Sequence, residues 1–258
     1  MEWVSHDGRR TAYRRSDRGG DGTPLLCVHG SGGSHAVWRG QHRLADERPV
    51  VAVDLSGHGE SEDVTTPPGP ETLAAYADDV LAVADATDAG SLCGNSLGGA
   101  VALHIAIERD AALDALVLAG TGAKLAVLPD LLGWLGSDFD RAVDFLLGPN
   151  RLLATDDPRY LDAAEATMRE AGQRVTERDF RTSDAFDVRG RLDEVDPPAL
   201  ALTGARDELT PPAYHEYLAE HLPRGRWTTV DDAAHLSMLE RPDAFNAAVG
   251  DFLADVGL

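Results

Sequence analysis

The chain has 258 residues, 43% of them hydrophobic, which suits one α/β domain with a sizeable core and is too apolar for a disordered chain. Lys and Arg number 23 against 44 Asp and Glu, a net charge of −21, and Lys124 is the only lysine. No basic stripe exists to neutralise phosphates, so no nucleic-acid partner is expected, and no apolar run approaches the ~20 residues that cross a bilayer, so no membrane is either.

The N-terminal stretch MEWVSHDGRRTAYRR lacks the charged, apolar and small-residue order of a signal peptide, which points to a cytoplasmic protein. The first 23 residues read as a hairpin turning at HDG and ending in a loop at Gly19, Gly20 and Gly22. PLLCVHG (24–30) and RPVVAVDL (48–55) read as buried strands, followed by helices around 36–47 and 71–87. GSLCGNS (90–96) is a strand leading into the helix LGGAVALHIAIERD, and DALVLAGT (114–121) is the next strand. From 122 to about 190 no strand-like run occurs, and LPDLLGWLGSDFDRAVDFLLG is the clearest amphipathic helical stretch. Strands resume with PALALTG (198–204) and RWTTVDD (226–232), alternating with helices around 211–222 and 242–255.

Continuous hydrophobic strands bounded by turns indicate a mostly parallel sheet covered on both faces. Residues 1–121 and 191–258 then form an α/β core, and 122–190 a helical insertion read as a separate lid. Removing that lid is expected to change substrate selectivity before it changes the chemistry. Cys27 and Cys93 sit in short apolar runs and read as buried thiols rather than a disulfide framework. None of the nine histidines stands in a spacing that would hold a metal, so no metal and no cofactor is expected.

The chemistry centres on GNSLG (94–98), which fits G-x-S-x-G, a serine on a strained turn from strand into helix. Ser96 lies between an apolar strand and a long helix, as that motif requires. A serine nucleophile needs a base and the base needs an orienting acid. His235, in DDAAHLSMLERPDAF, follows the last strand, and Asp207, in GARDELTPP, follows the strand before it. All three fall at C-terminal ends of strands, where open α/β sheets bind ligands. His104, inside the helix after Ser96, and His215 and His221, on what reads as a surface helix, are assigned structural roles. An oxyanion hole needs two backbone N–H groups; Leu97 supplies one, and Ser31 in HGSGG (29–33) the other.

HGSGG, DLSGHGES (54–61), GNSLGG, GARDELTPP and AAHLSMLERPDAF occur together in an order that resembles the α/β-hydrolase-fold serine hydrolases. The resemblance covers everything except the insertion. It implies an eight-stranded, mostly parallel sheet flanked by helices, with a helical cap after the sixth strand. It also implies that Asp54, His58 and Ser61 shape the loop near the site. The chain departs from common members in DAAH, where a glycine often precedes the histidine. Relatives that take their acid after the sixth strand have no counterpart here, since LAGTGA carries no carboxylate.

The expected activity is hydrolysis of small to medium carboxylic esters through an acyl-enzyme, with Leu125, Leu131, Trp134, Leu135, Phe139, Phe145 and Met168 offered as the acyl pocket. The enzymatic alternative is a carbon–carbon bond hydrolase of ring-cleavage products or an enol-lactonase, which a pocket arginine among Arg141, Arg151, Arg159, Arg169 and Arg174 would favour. The non-enzymatic alternative is a ligand receptor that retains the triad. A monomer or homodimer acting on a small-molecule ester is expected. The acidity reads either as adaptation to a salt-rich cytoplasm or as the bias of an arginine-favouring genome.

Overall fold

The computed structural model describes all 258 residues. Its strands are β1 (Glu2–His6), β2 (Arg9–Ser16), β3 (Leu25–Val28), β4 (Val50–Val53), β5 (Ser91–Asn95), β6 (Ala115–Ala119), β7 (Ala199–Gly204) and β8 (Gly225–Val230). Its helices are α1 (Pro70–Thr87), α2 (Leu97–Glu108), α3 (Pro129–Ser137), α4 (Phe139–Leu146), α5 (Pro158–Ala185), α6 (Pro212–His221), α7 (Ser237–Glu240) and α8 (Pro242–Asp255). The strands form one sheet in the order β1-β2-β4-β3-β5-β6-β7-β8. β1 pairs with β2 and β2 with β4 antiparallel, and every other pair is parallel.

The unbroken apolar runs of the central strands follow from burial on both faces. Along β3, Leu26 and Val28 join the core shared with α1 and α2, while Leu25 and Cys27 join the opposite core with Trp38 and the α8 residues Phe245, Val249 and Phe252. Side chains alternate across a strand, so a strand with two dry faces has no polar positions to show. Each fully buried Leu or Val stabilises by about 1.5–3 kcal/mol relative to exposure.

One expected helix is absent. Residues 36–47 fold instead as two 3₁₀ turns, His35–Trp38 and Gln41–Asp46. Gly40 lies between them against Pro242, and a Cβ there would come within 2.5 Å of Pro242 Cβ. The chain presses onto α8 at this glycine and cannot carry one helical register through it.

Between β6 and β7 stand α3, α4 and α5, with a small core of their own in Leu131, Leu135, Ala142, Val143, Leu146 and Met168. α5 is interrupted at Gly172, whose φ is 78°. The neck of this insertion is pinned where Lys124 pairs with Asp187 and Val188 N–H donates to Ala123 O at 2.8 Å. No helix is long and apolar enough to cross a membrane.

Candidate active site

Ser96 is the one residue between β5 and α2, with φ 54° and ψ −116°, a conformation unusual for a side chain bearing a Cβ. The surroundings hold it from both sides. Its N–H donates to Ala119 O at 2.9 Å, and its carbonyl accepts from Gly99 N–H at 2.9 Å and Thr121 Oγ1 at 2.8 Å. α2 passes so close to the end of β3 that a Cβ at Gly98 would lie 2.3 Å from Val28 O. Glycine at 98 therefore lets the helix start against the sheet, which puts Ser96 at its edge.

Asp207 follows β7 and His235 follows β8. Asp207 Oδ2 accepts from His235 Nδ1 at 2.9 Å, and both side chains are almost fully buried. The carboxylate is surrounded by donors. Leu209 and Thr210 N–H bind Oδ1 at 2.8 and 2.9 Å, and Thr203 and Thr210 hydroxyls bind Oδ2 at 3.0 and 2.8 Å. Burial works against its charge, but the facing His235 and the bonds from His235 and Thr210 hold it below the usual carboxylate range. With Nδ1–H committed to Asp207, His235 is left with Nε2 as its acceptor.

The loop after β3 abuts Ser96: a Cβ on Gly30 would lie 2.9 Å from Ser96 Cβ. Gly32 and Gly33 N–H are taken by Asp179 Oδ2 and Gly30 O. Ser31 lies between Gly30 and these two bonded glycines, and Leu97 opens α2 directly after Ser96.

Ser96, His235, Gly30 and Ser31 open onto one cavity of about 530 Å³. Of the residues offered as an acyl pocket, Leu125, Leu131, Phe145 and Met168 line it, whereas Trp134, Leu135 and Phe139 do not. Leu135 lies one turn beyond Leu131 on α3, where α4 and α5 close over it. Trp134 packs against Phe145 with ring centroids 5.4 Å apart and the rings tilted, with the Arg141 guanidinium 4.3 Å from its ring, and Phe139 packs on the insertion's own core. The wall is completed by residues the sequence did not single out, chiefly Val37, Leu152, Phe180, Leu209, Leu236 and Leu239.

The insertion is not a detachable lid. His235 and Leu236 N–H donate to Arg151 and Leu152 carbonyls at 3.2 and 2.9 Å, and Glu208 N–H donates to Asn150 O at 2.9 Å. Glu240, buried on α7, accepts Ala154 and Thr155 N–H on one oxygen and Ala234 N–H on the other, at 2.8, 3.0 and 2.7 Å. The strap 150–155 thus braces both the acid loop and the histidine loop. Deleting it would unmake bonds to the His235 and Glu208 backbone.

Asp54 and Ser61 are structural: Asp54 accepts from His35 N–H at 2.7 Å, and Ser61 Oγ donates to Asp54 O at 2.5 Å. His58 reaches the insertion instead, through Asp179. His215 is not on the surface. It is fully buried, and Nε2 accepts Thr121 N–H at 3.0 Å.

Burial pushes the His215 imidazole down to about 4 from its ordinary 6.5. Below 6.5 the unfolded chain takes up a proton here that the folded chain refuses until about pH 4. Stability contributed by this site therefore falls as the pH drops through that window. His215→Gln, which cannot titrate, is expected to lose less stability than the native chain over the same window, by up to about 3 kcal/mol. Urea midpoints at the two pH values check this.

Residues 25–248 match the model of the alpha/beta hydrolase family. A pimeloyl-[acyl-carrier protein] methyl ester esterase of Neisseria meningitidis serogroup B is 29% identical over 243 residues, covering 89% of this chain and 92% of that one. The crystal structure of the enol-lactonase from Burkholderia xenovorans LB400 superposes with a TM-score of 0.87 at 25% identity, covering 98% of this chain and all of that one. A thermophilic esterase gives a TM-score of 0.86 at 27% identity, with 99% and 98% covered. With the strand order, the helical insertion after β6 and a match over most of its length, the chain belongs to the alpha/beta hydrolase family.

Proposed function

We propose that the chain is a serine carboxylesterase that cleaves small to medium acyl esters through an acyl-enzyme. The carrying observation is His235, held by Asp207 at 2.9 Å, opening onto the same cavity as a strained Ser96. Ser96 Oγ attacks the ester carbonyl carbon as His235 Nε2 takes its proton. The carbonyl oxygen becomes an anion held by the Ser31 and Leu97 N–H groups. Collapse expels the alcohol, which takes the proton back from His235, and water then repeats the sequence on the acyl-enzyme. Asp207 fixes the imidazole tautomer and steadies its charge. Leu125, Leu131, Phe145 and Met168 give the acyl chain an apolar wall.

The test is a p-nitrophenyl alkylphosphonate, whose phosphorus traps an attacking serine. One equivalent of nitrophenol is expected, with the phosphonyl mass on Ser96 in the peptide digest. Full release with no adduct on Ser96 refutes the assignment.

A second reading has one observation in its favour. Of the eight arginines in 122–190, Arg151 alone lines the cavity, joined there by Arg39 from the core. Arg159, Arg169 and Arg174 are engaged by Asp157, Asp140 and Asp63, and Arg141 by Trp134. Arg39 lies over the Tyr160 ring, and Arg151 lies over the Phe145 ring and donates to Phe145 O, but neither has a carboxylate partner, so a substrate with its own carboxylate, such as an enol-lactone, has cations to meet. A carboxylate-bearing ester with kcat/KM well above its neutral counterpart favours this reading.

The charge reading belongs with the proposal. Surface pairs such as Arg226–Asp255 neutralise only part of the acidity, and 44 acids face 23 bases. In a salt-rich cytoplasm the Debye length falls to about 3 Å at 1 M, which removes the repulsion. The melting temperature is expected to rise with KCl, and a rise that continues beyond a few tenths molar implicates hydration and salt exclusion as well. A melting temperature highest in dilute buffer refutes adaptation to salt.

A further inference from the structure

Loop 30–33 is fixed from the insertion as well as from the sheet. Gly30 O accepts from Gly33 N–H at 3.0 Å and from His29 Nδ1 at 2.8 Å. A trans peptide points its N–H opposite its carbonyl, so turning Gly30 O inward turns Ser31 N–H outward. The next peptide is fixed by Asp179 on α5, whose Oδ2 accepts Gly32 N–H at 2.9 Å. The same oxygen accepts from His58 Nε2 at 2.8 Å, and Oδ1 accepts from Tyr76 Oη at 2.6 Å. Asp179 and His58 are both completely buried. An unpaired carboxylate there would be costly, and these three donors are what keep it.

The surroundings make the contact more than a single bond. Gly32 has φ +64°, and a Cβ on it would come within 3.2 Å of Met168 and Thr176, both on α5. Ser183, also on α5, has Oγ 3.4 Å from Ser31 Oγ. Beside Asp179, Arg178 donates to Asp63 and to the Val64 and Ser56 carbonyls, so the 56–64 loop is drawn into the same network.

We propose that Asp179 is a positioning residue for the oxyanion: through Gly32 N–H it sets the orientation in which Ser31 N–H meets the tetrahedral intermediate. This rests on the role of Ser31 proposed above. It predicts a defect that grows in the transition state, since the bond to the carbonyl oxygen strengthens as that oxygen becomes an anion.

The test compares a carboxylic ester with its thiono counterpart, in which sulfur, a weak hydrogen-bond acceptor, replaces the carbonyl oxygen. The native chain is expected to prefer the oxo ester strongly. Asp179→Ala is expected to lose kcat on the oxo ester by about 10- to 100-fold with KM little changed, and to lose much of that preference. Asp179→Asn is expected to recover part of both, because its amide oxygen still accepts Gly32 N–H. Tyr76→Phe leaves that bond in place and is expected to keep the native preference. If Asp179→Ala does not fold, the double variant Asp179→Leu, His58→Phe removes the buried carboxylate and its imidazole partner together and carries the same comparison. An unchanged oxo-to-thiono ratio in a folded variant lacking the Asp179 carboxylate overturns the proposal. A native chain with no oxo preference removes the oxyanion role of Ser31, and this inference with it.

Discussion

Ser96→Ala is expected to lower kcat on a short acyl ester by about 10⁴-fold or more, since what remains is only binding and oxyanion stabilisation. The change deletes one oxygen and keeps the Cβ, so the positive φ of Ser96, its bond to Ala119 O and those from Gly99 and Thr121 are untouched. The melting temperature should therefore stay close to that of the native chain. Steady-state hydrolysis and a thermal melt on the same preparation check both halves. Turnover within tenfold of native would put the chemistry elsewhere.

Asp207→Asn is expected to cost about 10³- to 10⁴-fold in kcat, for a reason specific to how this carboxylate is held. Leu209 and Thr210 N–H both donate to Oδ1, so the amide oxygen of an asparagine must occupy that position. Its NH₂ then replaces Oδ2, facing His235 Nδ1. Two donors cannot meet there, so Nδ1 must give up its proton and Nε2 must carry it. A histidine in that tautomer cannot take the proton from Ser96. Activity close to native in Asp207→Asn would show that the acid does not set the tautomer.

Most of the sheet was legible because its signal is local. Runs such as LLCV and ALVLA are apolar at every position, and burial on both faces is the ordinary reason for that. The candidate serine, acid and histidine were legible because each ends a strand within a short motif. What escaped depends on contacts between distant segments. Asp179 and Gly32 are 147 residues apart, and no spacing connects them. His215 looked exposed because its partner, Thr121 N–H, lies 94 residues away on another strand end. The 36–47 helix failed at Gly40, a residue compatible with a helix until Pro242 arrives against it. Trp134, Leu135 and Phe139 shared the composition of a pocket wall, and only the closure of α4 and α5 over α3 assigns them to packing. Glu240 had a faint sequence signal, an acid five residues past His235 in an otherwise apolar stretch.

The strap 150–155 bears on how enzymes of this architecture can be recombined. A transplant cut at the neck, near Lys124 and Asp187, looks natural on a topology diagram, because there the two ends of the insertion lie side by side. Such a graft would arrive with carbonyls shaped for another host's histidine loop, and Glu240 would meet amides it was not placed to receive. A workable exchange must carry residues 205–210 and 231–241 with the insertion, so that Asp207, His235 and their brace travel as one inherited cassette while the Ser96 turn stays behind with the sheet.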